Sequence, residues 1–242
     1  EFEFLTGNSM NFLPSGSIPY QQYILGPTDS LATLLKGYGY ETRAFHPGER
    51  TSWQRNIAYP RLGFDSFKCG EDMDVPQTEE HGYVSDDSDF EQIIWEFEHK
   101  DESTPLFLFN VTIQNHGSYT VEDYPAEVQV ADEPGVYPKA EQYLTLSNKT
   151  DEAFKKLIDY FSAQTEPTIL VMFGDHQPSV EQEFLDKAYG VTQDEMTMAQ
   201  YMDKFKVPFI IWANYPLTGD STKITSLNFL AQYVLRNTGI ET

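Results

Sequence analysis

The sequence predicts one α/β domain, a largely parallel central sheet with helices on both faces, and three observations carry that reading. The chain has 242 residues, 40% of them hydrophobic, enough to bury one sizeable core. Three apolar runs rich in β-branched and aromatic residues, 104–113, 167–173 and 207–212, read as strands buried on both faces. Helical patterns lie between them in the alternating order of an α/β protein.

The elements follow in order. Residues 30–36 read as a helix that starts at Ser30 and ends at Gly37, and 41–45 as a weaker strand. Residues 85–100 form a helix whose Ser85-Asp86-Asp87 start suits a capped, acid-rich first turn. The strand at 104–113 carries Pro105 at its entry, where a missing N–H is tolerated. Residues 117–138, with three prolines and little periodicity, are expected to form a long loop over one edge of the sheet. Helices at 139–163, at 180–189 stopped by Gly190, and at 225–237 stopped by Gly239 complete the pattern.

Composition narrows the function. A formal charge of −22, from 16 basic and 38 acidic residues, argues against nucleic acid as a partner, because phosphate backbones are held by clustered Lys and Arg. Four of the five arginines, Arg43, Arg50, Arg55 and Arg61, nevertheless fall in one short stretch, which could meet an anion. The single cysteine, Cys69, excludes an internal disulfide and lies in no zinc-binding pattern. No run of 18 apolar residues occurs, so no segment is read as a membrane span.

In open parallel sheets ligands bind beyond the carboxyl ends of the strands. Three strands lead into polar residues there: Phe45 into His46, Ile113 into Gln114-Asn115-His116, and Phe173 into Gly174-Asp175-His176-Gln177. Asp175 and His176 are candidate ligands of one divalent cation if the strand breaks at Gly174; otherwise Asp175 caps the next helix and His176 makes a satisfied hydrogen bond. His116 either bonds a phosphate oxygen or orders its own loop, and His46 carries the same two readings. Trp53 and Arg55 suit a phosphate on a small polyol, with bidentate donors beside an apolar wall. Their alternative is a helix start with a buried Trp and a surface Arg. His81 and His99, set among Glu79, Glu80, Glu98 and Lys100, read as solvated surface residues.

These segments, in this order, resemble the extracellular enzymatic domain of lipoteichoic acid synthases and related phosphoglycerol transferases of the alkaline phosphatase and sulfatase superfamily. The matching stretches are 1–24, 39–67 (with F-H-x6-W-x-R), 105–119 (a strand, then N-H), 143–161, 168–178 (a strand, then G-D-H) and 207–214. The resemblance implies that Asp175 and His176 ligate the catalytic cation, Mn²⁺ foremost with Zn²⁺ or Mg²⁺ as alternatives. It places His116, Arg55 and Trp53 around the glycerol phosphate, His46 more loosely in the same pocket, and gives His116 and Arg55 catalytic roles. It further implies transfer of glycerol phosphate from phosphatidylglycerol to a cell-envelope polymer, at the extracellular face of a bacterial membrane. A phosphodiesterase, a phosphatase, a phosphoethanolamine-type transferase, or a non-catalytic envelope-binding module are the alternatives.

The sequence departs from the family's pattern at two places. The family tends to carry an acidic substrate-site residue two positions after the pocket histidine, where Gly48 stands here. Its nucleophilic threonine, a further metal carboxylate and its transmembrane helices are expected before Glu1, so the 242 residues by themselves are expected to be an incomplete, inactive domain. Thr6 stands after the expected position of that threonine and is not assigned the nucleophile's role. Cys69, in Lys68-Cys69-Gly70-Glu71, lies outside the C/S-x-P-x-R pattern of sulfatases proper, so the superfamily name does not imply sulfate ester chemistry.

Overall fold

A computed structural model describes residues 1–217 and 224–238. Its elements run α1 (Phe2–Thr6), α2 (Pro19–Gln22), α3 (Leu31–Gly37), β1 (Glu41–His46), α4 (Arg55–Arg61), β2 (Ser66–Cys69), β3 (Glu79–Glu80), β4 (Tyr83–Val84), α5 (Asp86–Glu98), β5 (Leu106–Asn110), α6 (Pro138–Ser162), β6 (Ile169–Phe173), α7 (Gln182–Tyr189), α8 (Met198–Asp203), β7 (Phe209–Ala213) and α9 (Leu227–Thr238). They divide into two compact units, each described by itself: one holds residues 1–77, 88–113 and the described residues from 215 on, the other residues 78–87 and 114–214.

The first unit is built on a parallel sheet in the order β2-β1-β5, with Arg43 of β1 beside Ser66 on one side and Leu108 on the other. Helix α3 packs on β1, α4 on β2, and α1 against α9. Ser30 starts α3 through a capping box: its hydroxyl accepts from the Ala32 and Thr33 amides, and Thr33 Oγ1 accepts from the Ser30 amide. Aromatic rings fill the core around Tyr59, which meets Tyr20, Phe64, Phe67 and Phe109 edge-on, while Phe4 stacks on Phe109. Tyr59 and Phe45 are among the largest fully buried side chains.

In the second unit the long helix α6 buries Leu146, Thr150, Ala153, Phe154, Leu157 and Phe161, a stripe at helical spacing. Strands β3 and β4 form a short antiparallel hairpin. Strands β6 and β7 also pair antiparallel, Leu170 opposite Trp212 and Phe173 opposite Phe209. This corrects the expectation of parallel, doubly buried strands at 167–173 and 207–212. An apolar run carries no direction, and half-exposed Ile210 (44%) shows that β7 is not covered on both faces.

The predicted helices form within two residues of their expected ends, and residues 117–137 hold no helix or strand. Gly190 closes α7 in the left-handed conformation, φ 69°. Gly239, expected to stop the last helix, lies outside the described residues. Strands β2, β3 and β4 and helices α1, α2 and α8 were not foreseen, and α4 only as the alternative reading of Trp53 and Arg55. No helix among the described residues is long and apolar enough to cross a membrane.

Candidate functional site

In the second unit, the chain leaves β6 through Gly174 directly into Asp175 and His176. The Gly174 amide donates to Pro208 O at 3.1 Å, and a Cβ at 174 would come within 3.2 Å of the Val207 Cβ, so the close approach of the two strands favours glycine there. The Gln177 side chain donates to the Lys206 carbonyl, tying the loop's far side. Asp175 caps no helix, since α7 begins after Glu181.

Asp175 and His176 are both exposed, and His176 Nε2 lies 3.5 Å from Asp175 Oδ2. Two donors on one tetrahedral ion, each at about 2.1 Å, are separated by roughly 3.4 Å, so this spacing fits one ion between them. The remaining atoms of each group are already engaged. Asp175 Oδ1 accepts from the His176 amide at 2.9 Å, and His176 Nδ1 bonds Gln177 O at 2.8 Å. A carbonyl only accepts, so Nδ1 carries the proton and Nε2 presents its lone pair beside Oδ2. Such an outer bond is what orients a ligating imidazole. The pair supplies two donors; catalytic zinc sites commonly take three from protein.

His116 stands exposed in the loop after β5. Its Nδ1 donates to Gly117 O at 2.6 Å, which leaves Nε2 as an acceptor facing solvent. Tyr83 lies edge-on to its ring at 5.7 Å. Tyr119 braces this loop and lies within the field of Asp175. Its hydroxyl donates to Asn115 O at 2.7 Å, and its phenol is pushed up to about 12 by burial, by Tyr143 and by the charge of Asp175. Sequence reading missed Tyr119; its only signal was its place three residues after His116. His81 also differs from expectation. Rather than a solvated side chain it is half-buried, its ring among Tyr83, Tyr119 and Tyr124 and its Nε2 2.8 Å from Gln114 O. His99 is exposed as read, and stacks on Trp95.

In the first unit, Arg55 opens α4 and is 5% exposed. Its Nη2 meets Glu1 Oε1 at 2.6 Å and its Nε meets Oε2 at 3.3 Å, while the Tyr59 hydroxyl donates to Oε2 at 3.2 Å. Burial alone would raise the Glu1 carboxyl, but the Arg55 guanidinium, by its charge and its hydrogen bonds, holds it below the usual carboxylate range. Trp53, in contrast, is 51% exposed on left-handed backbone, φ 57°, followed by Gln54 at φ 58°. Consecutive left-handed residues that are not glycine cost free energy and present the indole outward. A helix does start here, but burial is the reverse of the simple reading: the Arg is inside and the Trp outside.

His46 closes β1, 2% exposed, with Nδ1 2.8 Å from Val111 O. A Cβ on Gly48 would fall 2.5 Å from His46 Nε2. The glycine at the position where the resemblance leads one to expect an acid is therefore coupled to the buried ring beside it.

The arginine-rich stretch is paired internally. Arg43 bonds Glu41 at 2.7 Å and Glu96 at 2.5 Å, Arg50 bonds Glu71 at 2.8 Å and also Asp72, Arg55 holds Glu1, and Arg61 donates to Ile24 O at 2.7 Å. Among the described residues, Cys69, Glu71 and Asp72 form the one trio of donors within ligand reach of each other. Arg50 already neutralises its carboxylates. Burial, with the Asp72 bond, pushes the Cys69 thiol up to about 11, which disfavours the thiolate a metal would need.

Residues 1–240 match the sulfatase family, and the chain belongs to it. Members of this superfamily generally work with divalent metal ions. Among its relatives, a Rhizobium meliloti protein named for cyclic beta-1,2-glucan modification is 34% identical over 252 residues, covering 100% of this chain and 38% of its own length. The lipoteichoic acid synthase-like protein YvgJ of Bacillus subtilis is 25% identical, covering 86% of this chain and 34% of its own length. The chain thus spans little more than a third of these relatives. Among solved structures, the Streptococcus pyogenes phosphoglycerol transferase GacH in complex with sn-glycerol-1-phosphate superposes with a TM-score of 0.78 at 19% identity, over 98% of this chain and 60% of that one. The Listeria monocytogenes lipoteichoic acid synthase LtaP gives 0.66 at 20% identity, over 87% and 51%. Both share the alkaline phosphatase-like α/β fold.

Proposed function

We propose that the chain carries part of the active site of a phosphoglycerol transferase, which moves glycerol phosphate from a phosphatidylglycerol headgroup to a cell-envelope polymer at the outer face of the bacterial membrane. The observation that carries this reading is the Asp175–His176 pair, its two free donor atoms 3.5 Å apart and its other atoms already hydrogen-bonded. The neighbour seen with sn-glycerol-1-phosphate and the lipoteichoic acid synthase-like relative support glycerol phosphate as the group moved. Two relatives at more than 30% identity are named for glycans, the second being the capsular polysaccharide biosynthesis protein RkpI, 31% identical over 144 residues. Their names support a saccharide as acceptor beside a glycerol phosphate chain.

A divalent cation, Mn²⁺ foremost, held by Asp175 and His176 would supply charge stabilisation to phosphate oxygens. His116 presents Nε2 as an acceptor, suited to take a proton from an incoming hydroxyl and return it to a leaving oxygen. Trp53, taken within the first unit alone, offers an exposed apolar surface of the kind a glycerol backbone could lie on. Arg55 contributes by fixing Glu1 and the start of α4, its charge largely taken up by that carboxylate.

The test is release of diacylglycerol from labelled phosphatidylglycerol by the full-length protein, with cyclic beta-1,2-glucan or a glycerol phosphate oligomer as acceptor. Metal-dependent release that H176A abolishes, with label appearing on the glucan, supports the proposal. Free glycerol phosphate formed in equal amount with acceptor present would replace it with a hydrolase. No release from folded, Mn²⁺-loaded protein would overturn it.

A further inference from the structure

The loop that carries His116 is anchored at its root by a buried polar cluster in the second unit. Gln114 is 1% exposed and Asp86 wholly buried, while Thr150 of α6 is 6% exposed. The Thr150 hydroxyl has one proton and two lone pairs. The proton goes to Asp86 Oδ2 at 2.6 Å, the nearer of its two acceptors, with Leu146 O at 3.1 Å the other, and Oγ1 accepts from Asn115 Nδ2 at 2.8 Å and Gln114 Nε2 at 3.2 Å. Gln114 in turn accepts the Asp86 amide at 3.0 Å through Oε1 and donates to Leu146 O at 3.2 Å through Nε2. One hydroxyl thus ties both amides to Asp86, and these are the two residues immediately before His116.

The cost of the arrangement points beyond packing. Asp86 Oδ1 is buried with no hydrogen-bond partner, and burial pushes its carboxyl up to about 6. An apolar pair of the same shape would avoid that expense. A cluster that tolerates it while fixing the stem of an exposed imidazole is acting on orientation.

We propose that Thr150 is a positioning residue: by bonding Asp86, Gln114 and Asn115 together it holds His116 in its productive orientation. This rests on the role given to His116 above. In diacylglycerol release by the full-length protein, T150V, which keeps the shape and removes the hydroxyl, lowers kcat roughly tenfold or more with KM within about twofold, because misplacing a reacting group by an ångström costs that much or more. T150S, which keeps the hydroxyl, restores most of the loss. In the H116A background T150V costs nothing further, since the group through which it acts is gone.

An equal loss from T150V with and without His116 would show that Thr150 acts elsewhere and overturn the proposal, as would full activity of T150V. Full activity of H116A would instead remove the underlying reading of His116. A T150V protein that fails to fold leaves the decision to T150S and T150A: a folded T150A as active as T150S would equally overturn it.

Discussion

Gly48 and Arg55 show how far a single residue's role depends on neighbours distant in sequence. The Cβ of any residue at 48 would sit 2.5 Å from His46 Nε2, so G48D must displace a ring that is 2% exposed. It is expected to cost about 1–3 kcal/mol, as overpacking does, and G48D/H46A should recover part of that in urea unfolding. R55A leaves the Glu1 carboxylate without its main partner and is expected to lose about 3 kcal/mol, R55K regaining little because the paired fork is lost. Glu1's carboxyl lies below its unfolded value in the fold. Its stabilisation is therefore present at neutral pH and lost as pH falls through the folded value, so wild type and R55A should converge in acid. The strand-end rule singled out His46, His116, Asp175 and His176 from sequence as candidates. It could not show that His46 and Arg55 are buried, because Arg55's partner is 54 residues away and nothing local signals it.

At the scale of the elements, local chemistry was legible and partnership was not. The helix starting at Ser30, the stop at Gly190 and the loop before α6 all followed from caps, glycines and prolines. The antiparallel pairing of β6 with β7 did not, since apolar runs state burial without direction. The start of α5 gives a sharper test. Asp86 is raised from 3.8 to about 6 in the fold, so between these values the folded state holds a proton that the unfolded state has released. Stability then falls as pH rises from 4 to 6, by on the order of 2–3 kcal/mol from this group. D86N should flatten that slope in pH-dependent urea unfolding. At the end of β6, G174V forces the strands apart where a Cβ already comes within 3.2 Å of Val207, and is expected to weaken Mn²⁺ binding at least tenfold by calorimetry.

For the whole molecule, metal binding and folding are linked. If Asp175 and His176 hold the ion, Mn²⁺ at about 100 times its Kd should stabilise the full-length protein by about 2.7 kcal/mol, and D175A/H176A should abolish the increment in thermal unfolding. The α/β class was legible because apolar and amphipathic segments alternate along the chain; the division into two compact units was not, because the second unit takes residues 78–87 out of the first unit's stretch of sequence. The internal pairing of the arginines has a kinetic consequence. A chain of charge −22 in which three of the four clustered arginines, Arg43, Arg50 and Arg55, are already neutralised by carboxylates projects little attractive long-range field toward an anionic headgroup. Repulsion of such a donor is felt once the partners come within about a Debye length, roughly 8 Å at physiological salt, and added salt should quicken capture where most anion-binding enzymes are slowed.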